Sequence, residues 1–573
     1  MIGPIRLALM LFALCTALLP PARAQDTASP PPEGPVAMAL HLSGIKDWST
    51  QQPFIDVMKA ARTWIGHMPG QWGGASHADL AAAGYLDENG WPVEIPPELG
   101  SIGTVVLTSM PEEARTLAGR YVLRFEGDGI VEVGGRARNV RYGKNEVRFD
   151  YEPGSDSVDI RIQRTDRKKT GDYLRNITIV KEDNLAIFEA GAVFNPDFLR
   201  RLEGFEALRF MDWMETNDSE QGGWADRPRV SDYTYSLRGV PAEVMLDLAN
   251  LLGADAWFNM PHLADDDYIR RFATLVRDGL WTDLTAYVEF SNEVWNWQFE
   301  QARWAGRKAQ ERWNRDNGWV QYYALRASQA AAIWSEVYGA DAEDRLVNVI
   351  STQTGWLGLE KDILDPPLLR QEQPDRAPVH SFFDAYAITG YFGHALGQED
   401  RAPMVREWIA DSRAQAEQAA EAEGLTGAAR DTYVAAHQYD VATALAGAEL
   451  RDGLSSGEED GTLNHLLGTL IPHHADVARA HGLDLVVYEG GTHLAGRGPV
   501  RDDEALTGFF SHVNYSDEMG ALYTELLSGW QAVGGRLFTV FADVARPSRW
   551  GSWGTLRHLS DDNPRWDAVA AFR

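Results

Sequence analysis

The sequence predicts an α/β fold, a (β/α)8 TIM barrel interrupted by an inserted all-β, sandwich-like domain. Eight short runs rich in β-branched and aromatic residues recur along the chain, and helical patterns separate most of them. Between about 101 and 180 the period drops to two, with closely spaced Gly, Asn and Pro turns. At 573 residues the chain is long for a bare barrel and has room for such an insert.

In order, residues 1–24 read as a cleaved secretory signal: Arg6, an apolar run from Leu7 to Leu19, and Ala22-Arg23-Ala24 before Gln25. A secreted or periplasmic protein is expected, with no membrane attachment after cleavage. Residues 25–35 are a Pro-rich linker. The barrel starts in 36–100 with the strand Val36 to Leu42 and a helical pattern from Pro53 to Trp64. The insert occupies 101–183, with strand-like runs at 104–108, 121–125, 130–133, 147–151, 158–162 and 177–180. No aromatic pair stands out in it, which favours a packing module over a sugar-binding one.

Residues 184–573 supply the rest of the barrel. Asn195-Pro196 opens a helix in the cap-then-proline manner and leads to a strand from Ala207 to Trp213. Strands from Ala254, Ala286, Leu346, Asp384, Leu485 and Arg536 follow, alternating with helices. A helical excursion from about Met404 to Ala480 reads as a lid or an outer decoration.

The net charge of −30 argues against nucleic acid and anionic membranes as partners, and makes a densely anionic polymer a less natural substrate. The single cysteine, Cys15, leaves with the signal, so neither disulfides nor thiol chemistry are expected. No Gly-rich phosphate fingerprint follows any strand, and no Gly-x-Ser-x-Gly elbow or zinc-ligand spacing is read in support of an esterase or lyase. No cofactor and no metal are expected. Asp265-Asp266-Asp267 read as acids at a helix N-terminus, and His473-His474 as helix surface.

The chemistry lies at strand ends. The run Ala286 to Phe290 leads directly into Ser291-Asn292-Glu293, and Glu489 closes the seventh strand-like run. Two carboxylates across a barrel mouth are what glycosidic cleavage needs: one protonates the leaving oxygen and the other attacks or stabilises an oxocarbenium-like centre. Here the chain resembles the retaining glycoside hydrolases of clan A, which carry an Asn-Glu pair after strand 4 and a second Glu at strand 7. Asn292-Glu293 and Tyr488-Glu489-Gly490 are the matching residues. The chain is also similar to secreted bacterial proteins labelled only as cellulases or cellulose-binding proteins, through Tyr287 to Asn296 and Arg209 to Trp213.

The resemblance implies that Glu293 is a general acid/base with a raised pKa and Glu489 an ionised nucleophile held by Arg209 and the Tyr391 hydroxyl. It also implies that Asn292 bonds the 2-hydroxyl of the reacting sugar, with His262 after strand 3 and Trp550 after strand 8 lining the mouth. Glu289 is expected as a structural partner rather than a substrate contact, and His262 is balanced between substrate contact and loop packing. Among the 20 tryptophans, Trp213, Trp295, Trp297, Trp356, Trp550 and Trp553 are candidate sugar-stacking faces, two or three of which are expected to serve. The expected function is a secreted retaining glycoside hydrolase acting on a β-glycan by double displacement. A non-catalytic glycan-binding barrel and a transglycosylase are the alternatives. The sugar, the linkage and the oligomeric state are not legible in the sequence.

Overall fold

The computed structural model describes residues 37–573. The expected signal segment, the Pro-rich linker and Val36, the expected first residue of the first strand, lie outside the described residues. Eight parallel strands close into a barrel in chain order: β1 (Ala37–His41), β2 (Ala207–Arg209), β3 (Asp255–Met260), β4 (Ala286–Phe290), β5 (Leu346–Ser351), β6 (Ala385–Phe392), β7 (Asp484–Thr492) and β8 (Leu537–Val540). Closure is by β8 against β1, from Ala37 opposite Leu537 to Leu40 opposite Val540. β2 is shorter than the expected run to Trp213, because the chain turns after Phe210, the Met214 N–H donating to the Phe210 carbonyl at 2.9 Å.

Strands buried on both faces read as continuous apolar runs. Leu40, Leu208, Phe258, Val349, Ile388, Val487 and Phe538 accordingly join one hydrophobic cluster with the surrounding helices. Phe538 packs between the barrel wall and Trp530 of the helix Asp517–Ala532, where it fits only because Gly390 and Gly490 face it. A β-carbon on either glycine would stand 2.8 or 2.4 Å from its ring. The helix Asp266–Gly279 buries Tyr268, Ile269, Phe272, Ala273 and Val276, and Asp265 caps it by accepting from the Tyr268 N–H at 2.7 Å. The acidic triplet is thus a helix start.

The insert leaves the barrel after β1 and returns before the helix Pro196–Leu202. One antiparallel sheet orders Gly74–Ala75, Ile65–His67, Ser101–Val106, Val158–Thr165 and Gly129–Gly135; the other orders Arg175–Lys181, Gly119–Glu126, Glu146–Tyr151 and Arg138–Tyr142. Ile102, Val133 and Ile160 of the first share a core with Tyr121, Phe149 and Ile179 of the second. The β-rich unit therefore begins well before residue 101. The sequence pattern misses Arg138–Tyr142 because this edge strand is polar and largely exposed, with no alternation to read.

The insert is tied to the barrel by buried polar and aromatic groups. Asp56 accepts from the backbone N–H groups of Met58 (3.1 Å) and Ile179 (2.8 Å). Tyr233, from the loop after β2, packs on Trp64 and Trp91. Between β6 and β7 the helices Ala402–Ala422, Gly427–His437 and Asp440–Asp452 pack on one another and on the helix Glu504–Val513, outside the barrel. His474, expected on a helix surface, is instead fully buried, between the Tyr386 hydroxyl (2.8 Å) and the Thr354 carbonyl (2.9 Å), because its helix turns this face to β6. No helix among the described residues is long and apolar enough to cross a membrane.

Candidate active site

The polar residues at the C-terminal ends of β1 to β7 converge on one guanidinium. Arg209, at the end of β2, has no exposed surface. Its Nη1 donates to Glu489 Oε1 at 2.7 Å, and its Nη2 to Glu289 Oε2 and Asn292 Oδ1, each at 3.0 Å. Glu289 is equally buried and accepts further from Asn259 Nδ2 (2.8 Å), Trp257 Nε1 (3.2 Å) and the Ser351 hydroxyl (2.8 Å). A buried charge persists only when its hydrogen bonds are met in this way. Glu289 is therefore the anchor that aims Arg209, with none of its own surface left for a ligand.

Both oxygens of Glu489 are held, Oε1 by Arg209 and Oε2 by the Tyr391 hydroxyl at 3.0 Å. Both oxygens of Glu293 are also held, Oε1 by the Tyr488 hydroxyl at 3.0 Å and Oε2 by Asn296 Nδ2 at 2.9 Å. Tyr488 and Glu489 are consecutive, and a regular strand would send them to opposite faces. A bulge prevents this: Ile388 of β6 faces Val487, yet Thr389 faces Glu489, leaving Tyr488 as the extra residue. The Tyr488 ring accordingly lies 5.2 Å from the Arg209 guanidinium, on the same side as Glu489.

Glu293 itself has φ +41° and Ser291 φ +63°, left-handed conformations that L-residues adopt only when their surroundings impose them. Asn292 is clamped between Arg209 and Asn217, whose Oδ1 accepts from Asn292 Nδ2 at 3.1 Å. One hydrogen of the Asn292 amide is left over from these contacts. His41, on β1, stands 3.3 Å from Arg209 Nη1 through Nδ1 and 3.1 Å from Asp212 through Nε2.

Burial pushes the Glu489 carboxyl above its ordinary value, with Arg209 and His41 opposing and the Glu293 charge adding to the rise. Burial and the neighbouring carboxylates hold Tyr391 and Tyr488 well above the usual phenol value, so both remain hydrogen-bond donors.

Four of the sequence candidates are placed away from any open surface or with their faces occupied. Trp213 has no exposure; it packs among Phe54, Phe198 and Phe210 and donates to the Ser43 carbonyl at 3.1 Å, because β2 has already ended and the side chain turns inward. Trp295 is buried edge-on against Tyr323 and Tyr488, where it buttresses Tyr488. His262 is buried against Trp304, and that burial lowers its pKa to about 4. Trp550 is exposed, but the Arg501 and Arg549 guanidiniums lie over its ring at 4.2 and 5.1 Å.

Trp297, after β4, and Trp356, after β5, are each about half exposed and flank Trp319, with ring centroids 5.3 and 6.1 Å from it. Trp553 rather than Trp550 approaches the carboxylates, packing 6.0 Å from Tyr391 and 4.9 Å from His493. His41, Asn217, Asn296 and Tyr488 were missed as site residues. Asn296, three positions after Glu293, and Tyr488, beside Glu489 in the matched run, carried a sequence signal. A formal Gly-x-Ser-x-Gly match at Gly453–Gly457 is a turn after a helix, where the Ser455 and Ser456 N–H groups donate to Glu449, and not a nucleophile elbow.

A closed (β/α)8 barrel with two hydrogen-bonded carboxyl groups on β4 and β7 is the class that fold and site define. No family model and no curated protein matches the sequence. Among solved structures, the chain is similar to a 4-O-α-L-rhamnosyl-β-D-glucuronidase from Fusarium oxysporum 12S (10% identity over 65% of this chain and 62% of that one, TM-score 0.33). It is also similar to a xyloglucan-specific endo-β-1,4-glucanase from a metagenomic library (11%, 66% and 86%, TM-score 0.31) and to fungal β-1,4-galactanases (10%, 68% and 96%, TM-score 0.31). The chain thus spans 62% of the glucuronidase's length. The barrel itself is established by its strand pairing.

Proposed function

We propose that the protein is a retaining glycoside hydrolase acting on a β-linked glycan, with Glu293 as acid/base and Glu489 as nucleophile. The observation that carries this reading is the pair of carboxyl groups themselves. Each has both oxygens oriented, one by a cation and a phenol and the other by a phenol and an amide. Such orientation belongs to groups that must meet a reacting atom in one geometry.

In the first step Glu489, ionised, attacks the anomeric carbon while Glu293 gives its proton to the departing glycosidic oxygen. Arg209 and Tyr391 keep the attacking carboxylate in line. Water, deprotonated by Glu293, then cleaves the glycosyl ester and restores both groups. The remaining Asn292 N–H donates to the sugar 2-hydroxyl, a contact that strengthens in the transition state. Secretion through residues 1–24 accords with a polymeric substrate outside the cell.

The test is a hydrolysis screen over β-glucans, xylans, mannans and aryl β-glycosides, with product stereochemistry followed by NMR. Glu489→Gln is expected to lose turnover by more than about 10³-fold while still binding the glycan. Glu293→Gln is expected to lose it on natural glycans and regain it on aryl glycosides whose leaving group needs no proton. Wild-type turnover in either variant refutes the assignment, and an inverted product refutes retention. A binding-only barrel would show affinity with no turnover in the parent protein.

A further inference from the structure

We propose that Asp365, His380 and His481 form a binding site for a zinc-class divalent ion on the face of the barrel opposite the carboxylates. The three residues come from separate segments. Asp365 ends the helix Leu359–Leu364, His380 lies in the turn before β6, and His481 ends the helix that precedes β7. Two of them thus sit at the N-terminal ends of strands, the face of such barrels associated with stability rather than catalysis.

Candidate donor atoms of all three lie within 4.8 Å of one another. His380 Nδ1 is 3.5 Å from Asp365 Oδ1, His481 Nε2 is 3.5 Å from Asp365 Oδ2, and the two imidazole centroids are 4.9 Å apart. Those 3.5 Å separations are too long for a normal N–H···O hydrogen bond, whose range ends near 3.2 Å. They are close to the roughly 3.3–3.4 Å edge of a tetrahedron built on metal–ligand bonds of about 2.0–2.1 Å.

Protonation follows the same logic. His481 Nδ1 is 2.8 Å from the Val477 carbonyl, an acceptor, so Nδ1 carries the hydrogen and Nε2 turns its lone pair toward Asp365. His380 Nδ1 is buried with no hydrogen-bond partner. A cation between the three would engage the unpartnered His380 Nδ1 and the His481 Nε2 that faces Asp365. One competitor is present: Arg370 donates to Asp365 Oδ1 at 2.9 Å. It is two-thirds exposed and leaves Oδ2 free, so it is a weak, screened rival.

Two imidazoles and one carboxylate select zinc, cobalt or nickel over calcium or magnesium, which take oxygen ligands. Water completes the coordination. The ion would pin together the segments leading into β6 and β7, the strands that carry Tyr391 and Glu489. The proposal is independent of the catalytic reading. It departs from the sequence expectation of no metal, because ligands drawn from three distant segments leave no spacing to read.

The experiment uses the full-length protein without an affinity His tag, stripped with EDTA and dialysed against zinc sulfate. Metal content is read by plasma mass spectrometry and stability by thermal melting. One zinc equivalent is expected, with a Tm rise of a few degrees that EDTA reverses. His380→Ala and His481→Gln are each expected to lose that equivalent and the Tm response, while His437→Ala, at the exposed His437–Asp440 pair elsewhere, keeps both. Should the alanine variant misfold, cobalt(II) titration of the parent protein replaces it, a tetrahedral d–d absorption being expected. Binding of less than one equivalent, binding that survives in His481→Gln, or a cobalt spectrum typical of octahedral aquo ions overturns the proposal.

Discussion

Tyr488 is the side chain on which the proposed acid/base most depends, since it donates to Glu293 and stacks beside Arg209. Tyr488→Phe keeps the ring and removes one hydrogen bond to an ionisable group, worth about 1.5–3 kcal/mol. Kinetics on a natural glycan should therefore show kcat/KM reduced by about 10- to 100-fold, with the melting temperature nearly unchanged. The acid limb belongs to Glu489. Its carboxyl is raised by burial above the ordinary 4.5, and in the proposed role of nucleophile it would attack only when ionised. Activity is thus present above the raised pKa and is lost as pH falls through it. A kcat/KM profile of the parent protein is expected to place that limb above 4.5.

At the level of elements, the loops after β4 and β5 hold exposed Trp297 and Trp356 on either side of Trp319, a cluster of mutually tilted rings beyond the proposed reacting centre. Each stacked sugar face contributes on the order of 1 kcal/mol. Trp297→Ala and Trp356→Ala should each raise KM for long glycans by roughly five-fold and leave aryl monoglycosides unaffected, which parallel assays on the two substrate lengths would reveal. The bulge in β7 acts on the same scale. A single extra residue supplies a second inward side chain where a regular strand would supply one, and the site gains the donor to Glu293 without lengthening the barrel.

For the whole molecule, the seam between barrel and insert turns on Asp56. Burial lifts its carboxyl from 3.8 to about 6 despite two backbone N–H donors. The folded state therefore holds this proton more tightly than the unfolded chain. The resulting stabilisation is complete below pH 3.8 and is lost as pH climbs through about 6. Asp56→Asn keeps an acceptor for both N–H groups and removes the buried charge. Its stability relative to the parent, read from thermal melts, is expected to rise by about 1.4 kcal/mol between pH 5 and pH 7.5, the part of the window that lies above pH 5. An unchanged difference across those two melts would show that the seam does not carry a buried charge at neutral pH.

The eight strands and the two glutamates at β4 and β7 were legible in the sequence, because strand and helix periodicity is local and a buried parallel strand declares itself as an apolar run. Trp213, Trp295 and His262 show where local pattern ends. Each follows a strand, as a mouth residue would, yet each is packed inward by partners from elsewhere in the chain: Phe54 and Phe198, Tyr488, and Trp304. Tyr488 errs in the other direction, since strict alternation turns it away from Glu489 and only the pairing with β6 reveals the bulge. The sequence by itself determined the barrel, the order of its strands and the carboxyl pair. Tertiary structure alone decided which neighbours orient those carboxyls, which aromatic rings remain open, and that Asp365, His380 and His481 meet. Hydrogen bonds and burial join residues hundreds of positions apart, and no window along the chain contains both partners.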